Sequence, residues 1–328
     1  MESGLVDVLF PPPVRARLEE TADLHSPRAV GEFDSPEALR ALSDAEVLLT
    51  GWGCPPVDTA LLARAPSLRA VIHAAGTVKP FLSAAVLDRG VVVSSAAAAN
   101  AVPVAEYTLA AIILGAKRAF PLAGLFRDRR THRTAADLDG QHWIGTNGLT
   151  VGVVGASRIG RRVVELLRVL DCEVLLHDPY VPPAEADGLG VVPVDLDTLV
   201  ATSDVVTVHA PETDETRGMI DARRIGLMRP GTLLVNTSRG ALVDTEALTR
   251  HLVSGRLDAV LDVTAPEPLP RTHPLWDLPN VFLTPHLAGA QGNEVGRLGA
   301  LAVEELERYA RGTAFAHPVL RPDLGRIA

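Results

Sequence analysis

The chain has 328 residues, 47% of them hydrophobic, with a net charge of −9 and an isoelectric point near 5.6. A polypeptide of this length can bury roughly 75% of its unfolded surface and outgrows one compact core, which predicts two domains. The acidic balance argues against a nucleic-acid partner, because phosphate binding needs clustered, uncompensated cations, and here Lys79 and Lys117 are the only lysines among scattered arginines.

The N-terminal stretch MESGLVDVLFPPP places Glu2 where a secretory signal carries positive charge, and three prolines break its apolar run. Cys54 and Cys172, the only cysteines, are too few for a disulfide framework and lack metal-site spacing. A cytoplasmic protein without a metal is expected. From Val6 to Ser95, strand candidates VDVLF, AEVLLT, LRAVIHAA and VVVSSA alternate with helical PEALRALSDA, DTALLARA and LSAAVLDRG. Such alternation implies crossovers and a parallel sheet. Segment 100–117 follows as a long apolar helix; its most apolar run, 107–116, is about half the ~20 residues of a bilayer span, so a buried helix is expected and no membrane partner.

A second series opens with LTVGVVGAS at Leu149 and continues through CEVLLHDP, DVVTVHAP, GTLLVNTS, LDAVLDV and NVFLTPH. Helical stretches such as RIGRRVVELLRVL separate most of them. After Thr284 the chain turns helical again, in GRLGALAVEELERYARG, and has no strand candidate left. If that helix returns to the first series, the second is an insertion with hinges near Asn100 and Leu287.

Between the apolar strand 151–154 and the helix from Arg161 lies Gly155-Ala156-Ser157-Arg158-Ile159-Gly160. A turn of this kind presents free backbone N–H groups and a helix N-terminus to a pyrophosphate. The middle glycine of the fingerprint is replaced by Ser157, whose hydroxyl is itself a phosphate donor. Asp178 ends the next strand at the spacing of a ribose-binding acid, and its charge opposes a 2′-phosphate, favouring NAD over NADP. Arg161 and Arg162 are read as solvated helix residues.

Three further segments carry reactive groups after apolar runs: Arg239 in NTSRGALVD, Glu267 in DVTAPEPLP and His286 in TPHLAGA. A guanidinium, a carboxylate and an imidazole at successive strand exits can bind an anionic carbonyl compound and deliver a proton. Each alone has a plain reading: Arg239 paired with Asp244, His286 satisfied by backbone, Glu267 solvated in a turn. Their order beyond the fingerprint favours the functional one.

Together these motifs, with SDVVTVHAPETDETRGMI, resemble the D-isomer-specific 2-hydroxyacid dehydrogenases, densely over 100–289. The resemblance implies an α/β protein of two doubly wound parallel-sheet domains: a Rossmann cofactor domain (100–287) inserted into a flavodoxin-like substrate domain (1–99 and 288–328). It implies NAD(H)-linked interconversion of a 2-oxo acid and its D-2-hydroxy acid, in a cleft between the domains, by a homodimer for which helix 102–116 suits the interface, core burial explaining that helix equally well. Arg239 would hold the substrate carboxylate, His286 would act as acid-base group, and Glu267 would pair with it, a buried carboxylate favouring imidazolium. Cofactor contacts carry over to Gly155, Ser157, Arg158, Ile159, Asp178, His209, Ala210, Pro211, Thr216, Thr237, Ser238, Asp262, Ala288 and Gly289. For Asp262 a strand-end cap is an equal alternative.

On the substrate side, HAAGTVKPF replaces the family's glycine-rich loop, with Ala75, Gly76 and Thr77 as backbone donors; Asn100 matches a family asparagine near the substrate. Trp52 stands where phosphate-handling relatives carry a basic residue, so a small substrate without a distal phosphate is expected. A formate dehydrogenase is disfavoured because that branch pairs its histidine with glutamine. An NAD(H)-sensing, corepressor-like protein on the same fold is the alternative of another class.

Overall fold

A computed structural model describes residues 1, 3–26, 28–138 and 144–325. The chain divides into two compact units, Met1–Ala101 with Ala290–Ala328, and Val102–Gly289.

The first unit opens with α1 (Val6–Leu9), α2 (Pro12–Thr21) and α3 (Pro36–Asp44), followed by β1 (Val47–Thr50), α4 (Thr59–Arg64), β2 (Ala70–His73), α5 (Ala84–Asp88) and β3 (Val92–Ser95). Its strands pair in parallel in the order β1-β2-β3. The apolar run VDVLF predicts a strand. That segment is helical instead: the prolines from Pro11 onward lack the N–H donors to continue a strand beyond it, and Val6, Leu9 and Phe10 recur at helical spacing, with Leu9 and Phe10 buried. Among the described residues the sheet therefore has three parallel strands, with β1 directly beside β2 and no strand from VDVLF among them.

The second unit takes in most of α6 (Ala97–Ala116), then α7 (Ala119–Arg129), β4 (Leu149–Val154), α8 (Arg158–Leu167), β5 (Cys172–His177), α9 (Pro183–Leu189), β6 (Val192–Pro193), α10 (Leu196–Thr202), β7 (Val205–Val208), α11 (Ala222–Leu227), β8 (Leu233–Asn236), α12 (Thr245–Val253), β9 (Asp258–Leu261) and β10 (Val281–Leu283). All seven strands are parallel, in the order β10-β9-β8-β7-β4-β5-β6. β6 escapes sequence reading because it is two residues long, ends in proline and lies at the sheet edge, where a missing N–H costs least.

Strand alternation builds a core on each face of this sheet. Val151, Val153, Val205, Leu233 and Val235 pack with Ala105, Ala111 and Ile112 of α6 and Val163, Val164 and Leu167 of α8. Val154, Val206, Val208 and Leu234 point the other way, against α10, α11 and α12. Burial on both faces explains why the strands read as continuous apolar runs. Asp195, Asp221 and Asp244 each cap a helix by accepting a backbone N–H, which fixes where α10, α11 and α12 begin.

α6 is the long helix expected from the apolar segment 100–117. It is 20 residues long and, by length and composition alone, could cross a bilayer, yet a stripe including Val104, Ala105, Thr108, Ala111 and Ile112 is buried in protein, while Glu106, Ala110 and Leu114 lie exposed. After β10, α13 (Val295–Ala310) belongs to the first unit. There α13 buries Leu298, Ala302, Val303 and Leu306 with Ile72 on one face of β2, while Val71 faces α3, α4 and α5 on the other.

Candidate active site

In the seven-stranded sheet the crossover direction reverses between β4 and β7. A crevice at the carboxyl ends of such strands is where open α/β sheets take their ligands. The β4–α8 turn is shaped by Gly155, with φ 95°; a Cβ there would sit 2.6 Å from Ala210 N, so only glycine lets this turn close on the loop after β7. Ser157 has φ −61° and ψ 177°, a conformation open to any residue, which explains why glycine is dispensable at that position. Its Oγ accepts from Gly160 N at 3.3 Å as the N-cap of α8, leaving its own proton to donate. Arg158 and Ile159, in the first turn, have N–H groups with no intrahelical acceptor.

Asp178 accepts from Ala156 N at 2.7 Å and Tyr180 N at 2.9 Å, tying the end of β5 to the fingerprint turn. Arg161 is committed to Ala156 O and to Glu185, and Arg162 pairs with Glu165, so both are engaged on their own surface. Arg158 is exposed. His209 is buried, and desolvation pushes its imidazole down to about 3, so the ring is neutral. Its Nε2 meets Thr207 Oγ1 at 2.9 Å, while its Nδ1 is buried without a partner among the described residues. Buried polar atoms are seldom left so.

These features fit a dinucleotide: a cradle that a Cβ would fill, free first-turn amides, a carboxylate at the ribose position and an orphaned ring nitrogen. The neighbouring hydroxyls are used to shape loops. Ser238 Oγ donates to Ala210 O at 2.8 Å, Thr216 Oγ1 to Pro211 O at 2.6 Å, and Thr237 Oγ1 lies 2.9 Å from Thr108 Oγ1.

Arg239 follows β8 in a turn organised by Asn236, a residue the sequence did not single out. Asn236 Oδ1 accepts from Ser238 N at 3.0 Å and its Nδ2 donates to Arg239 O at 2.9 Å, the side-chain turn expected of an asparagine at a strand end. The half-buried guanidinium donates to Ser238 O at 2.7 Å. Asp244 is occupied as the cap of α12, and among the described residues no carboxylate is in ion-pair range of Arg239. The remaining N–H groups are left for an anion. A Cβ on Gly240 would lie 2.0 Å from the Thr264 carbonyl carbon, so the Arg239 turn packs directly on the segment leading to Glu267.

His286 Nδ1 and Glu267 Oε1 lie 2.8 Å apart. The pair is open to solvent, with side chains 51% and 42% exposed, which corrects the expected buried carboxylate: Glu267 sits between prolines on an outer loop, where water screens its field. With Nδ1 facing the carboxylate, Nε2 is the free nitrogen, available as an acid in imidazolium and as a base in the neutral ring.

The His286 backbone is left-handed, φ 53°, a conformation costing a non-glycine residue on the order of 1 kcal/mol. Asp262 holds it there. Its carbonyl accepts from His286 N at 2.9 Å; its Oδ1 accepts from Thr284 Oγ1 at 2.6 Å and Leu287 N at 2.8 Å, and its Oδ2 from Ala288 N at 2.9 Å. The strand-end cap is thus the role its geometry displays. Gly289 follows Ala288 at the end of this segment, half-buried.

In the first unit, Ala75, Gly76 and Thr77 leave β2 with backbone N–H groups that have no protein acceptor among the described residues. Thr77 Oγ1 accepts from Lys79 N at 3.3 Å. Asn100 adjoins this loop, its Nδ2 3.6 Å from where a Cβ on Gly76 would lie, and its Oδ1 accepts from Ala290 N at 3.0 Å. Behind them His73 is buried and pushed down to about 4 by desolvation, its Nδ1 2.9 Å from Thr50 Oγ1. Trp52 lies half-buried in the loop after β1.

Residues 111–288 match the family described as D-isomer specific 2-hydroxyacid dehydrogenase, NAD binding domain. D-3-phosphoglycerate dehydrogenase of Mycobacterium tuberculosis is 36% identical over 282 residues, 85% of this chain and 52% of that one. A mitochondrial formate dehydrogenase of Oryza sativa is 32% identical over 294 residues, 85% of this chain and 74% of that one. The crystal structure of a phosphoglycerate oxidoreductase from Rhizobium etli superposes with a TM-score of 0.79 at 26% identity, covering 95% of this chain and 94% of that one. The fold defines a nicotinamide-dinucleotide-binding α/β protein. The chain belongs to the D-isomer specific 2-hydroxyacid dehydrogenase family. It spans about half the length of the phosphoglycerate dehydrogenases it matches.

Proposed function

We propose that the chain is an NAD(H)-dependent D-2-hydroxyacid dehydrogenase working on a small, unphosphorylated 2-oxo acid. The observation that carries this reading is the 2.8 Å contact between His286 Nδ1 and Glu267, which leaves Nε2 to exchange a proton. Bound nicotinamide supplies or accepts the hydride. Arg239 takes the substrate carboxylate and carbonyl oxygen, for which a planar fork suits better than a point charge. His286 gives a proton from Nε2 to the carbonyl oxygen during reduction and recovers it during oxidation, while Glu267 holds the ring in one tautomer. Trp52 and the amides of Ala75, Gly76 and Thr77, with Asn100, are assigned to substrate choice. Trp52 supplies an apolar surface and no cation, which is the reason for excluding a distal phosphate. For assembly we propose a homodimer through the apolar positions that α6 leaves exposed, such as Leu114.

The deciding experiment is NADH oxidation with glyoxylate, hydroxypyruvate, pyruvate, phenylpyruvate and 3-phosphohydroxypyruvate. Turnover of one of the first four is expected. Faster turnover of the phosphorylated acid would overturn the substrate assignment, and tight NADH binding without any turnover would favour a sensor.

Asp178 is proposed to select NAD. Its replacement by Ala removes a ribose acceptor and also frees Ala156 N, so NADH affinity should fall about 10- to 100-fold in a fluorescence titration. A native preference for NADPH would contradict this role.

A further inference from the structure

Adjacent residues on α6 reach both loops that carry reactive side chains. Tyr107 Oη lies 2.8 Å from Thr284 Oγ1, and Thr284 Oγ1 donates to Asp262 Oδ1 at 2.6 Å. A hydroxyl has one proton, so the Thr284 oxygen must accept from Tyr107. Every bond in this chain thus points toward Asp262, whose carboxylate and carbonyl hold the amides of residues 286–288. Burial is the main cause raising the Tyr107 phenol above its ordinary value, which keeps it a neutral donor. Thr108, one residue on, is fully buried and donates to Val104 O at 2.8 Å, so toward Thr237 it is an acceptor, and Thr237 gives it a proton. Thr237 lies two residues before Arg239. Successive residues on a helix point in different directions, which lets one turn of α6 reach the ends of both β8 and β10.

We propose that Tyr107 and Thr108 are positioning residues, Tyr107 acting through Thr284 and Asp262 on the left-handed turn that presents His286, and Thr108 acting through Thr237 on the turn that presents Arg239. This inference rests on the dehydrogenase reading above. The left-handed His286 backbone needs an outside constraint; the Asp262 carbonyl holds His286 N, and its carboxylate holds the following amides of Leu287 and Ala288 only while it is kept in one rotamer. The Tyr107–Thr284 bond does that from a helix packed into the core rather than from another loop.

The test compares native chain, Tyr107→Phe, Thr284→Val, their double variant and Thr284→Ser in steady-state reduction of the best 2-oxo acid of the panel, with NADH affinity measured separately. Tyr107→Phe and Thr284→Val should each lower kcat about five- to tenfold, as for loss of one buried hydrogen bond, with NADH affinity within about twofold of native. The double variant should be no slower than the slower single, because both break one chain of bonds. Thr284→Ser, which keeps the hydroxyl, should restore kcat. A native kcat in soluble Tyr107→Phe, multiplicative losses in the double variant, or equal loss in Thr284→Ser and Thr284→Val would each overturn the proposal. A native chain that reduces no 2-oxo acid refutes the dehydrogenase reading and this inference with it, whereas an active chain indifferent to Tyr107→Phe refutes this inference alone.

Discussion

Replacing His286 by Asn is expected to lower kcat by about 100-fold or more while NADH affinity stays near native, the signature of a lost general acid. Asparagine is preferred to alanine for a structural reason: His286 has φ 53°, and Asn is among the few side chains that adopt the left-handed region readily. The variant should therefore keep the turn that Asp262 caps, along with the placement of Leu287 and Ala288. The imidazole is half exposed, so its removal opens no core cavity and stability should change little. Single-turnover reduction at saturating NADH separates the chemical step from product release. Unchanged turnover would remove His286 from the mechanism. A loss of NADH binding equal to the loss of rate would mean that the residue supports the cofactor instead.

What the sequence displayed, and what it hid, follows from the range of the interactions concerned. The strands of the seven-stranded sheet are legible because burial on both faces makes each an apolar run, and Gly155 and Asp178 are legible because they punctuate successive βα units at fixed spacing. VDVLF misleads because a five-residue apolar run fits strand and helix equally, and only the prolines that follow and the helical spacing of its buried residues decide. Glu267 and His286, 19 residues apart, can be named from their motifs, but their contact and its exposure are tertiary facts. The supporting residues are harder still. Thr284, Tyr107 and Thr108 act through side-chain hydroxyls 129 to 177 residues distant in sequence, and a threonine or tyrosine in an apolar helix carries no local mark of such a partner. Asn236 is the exception that sequence could have found, because an asparagine at a strand end followed by Thr-Ser is a turn former.

Arg239→Ala should cost at least about 100-fold in kcat/KM for the 2-oxo acid, with NADH affinity unchanged, since a bidentate carboxylate contact comprises two charged hydrogen bonds of ~1.5–3 kcal/mol each. Arg239→Lys should recover little of this. The ammonium keeps the charge but not the planar fork, and the turn leaves it no freedom to shift: Asn236 Nδ2 fixes the Arg239 carbonyl, and Gly240 sits hard against Thr264. Because Asp244 is engaged with Ala247 N, alanine at 239 leaves no structural ion pair broken, so thermal stability should hardly move. That separates this prediction from a folding defect. Added guanidinium ion at millimolar concentration should restore part of the lost rate in Arg239→Ala and none in Arg239→Lys, whose side chain still fills the space. If kcat/KM falls by less than about tenfold in Arg239→Ala, Arg239 is not what holds the substrate carboxylate.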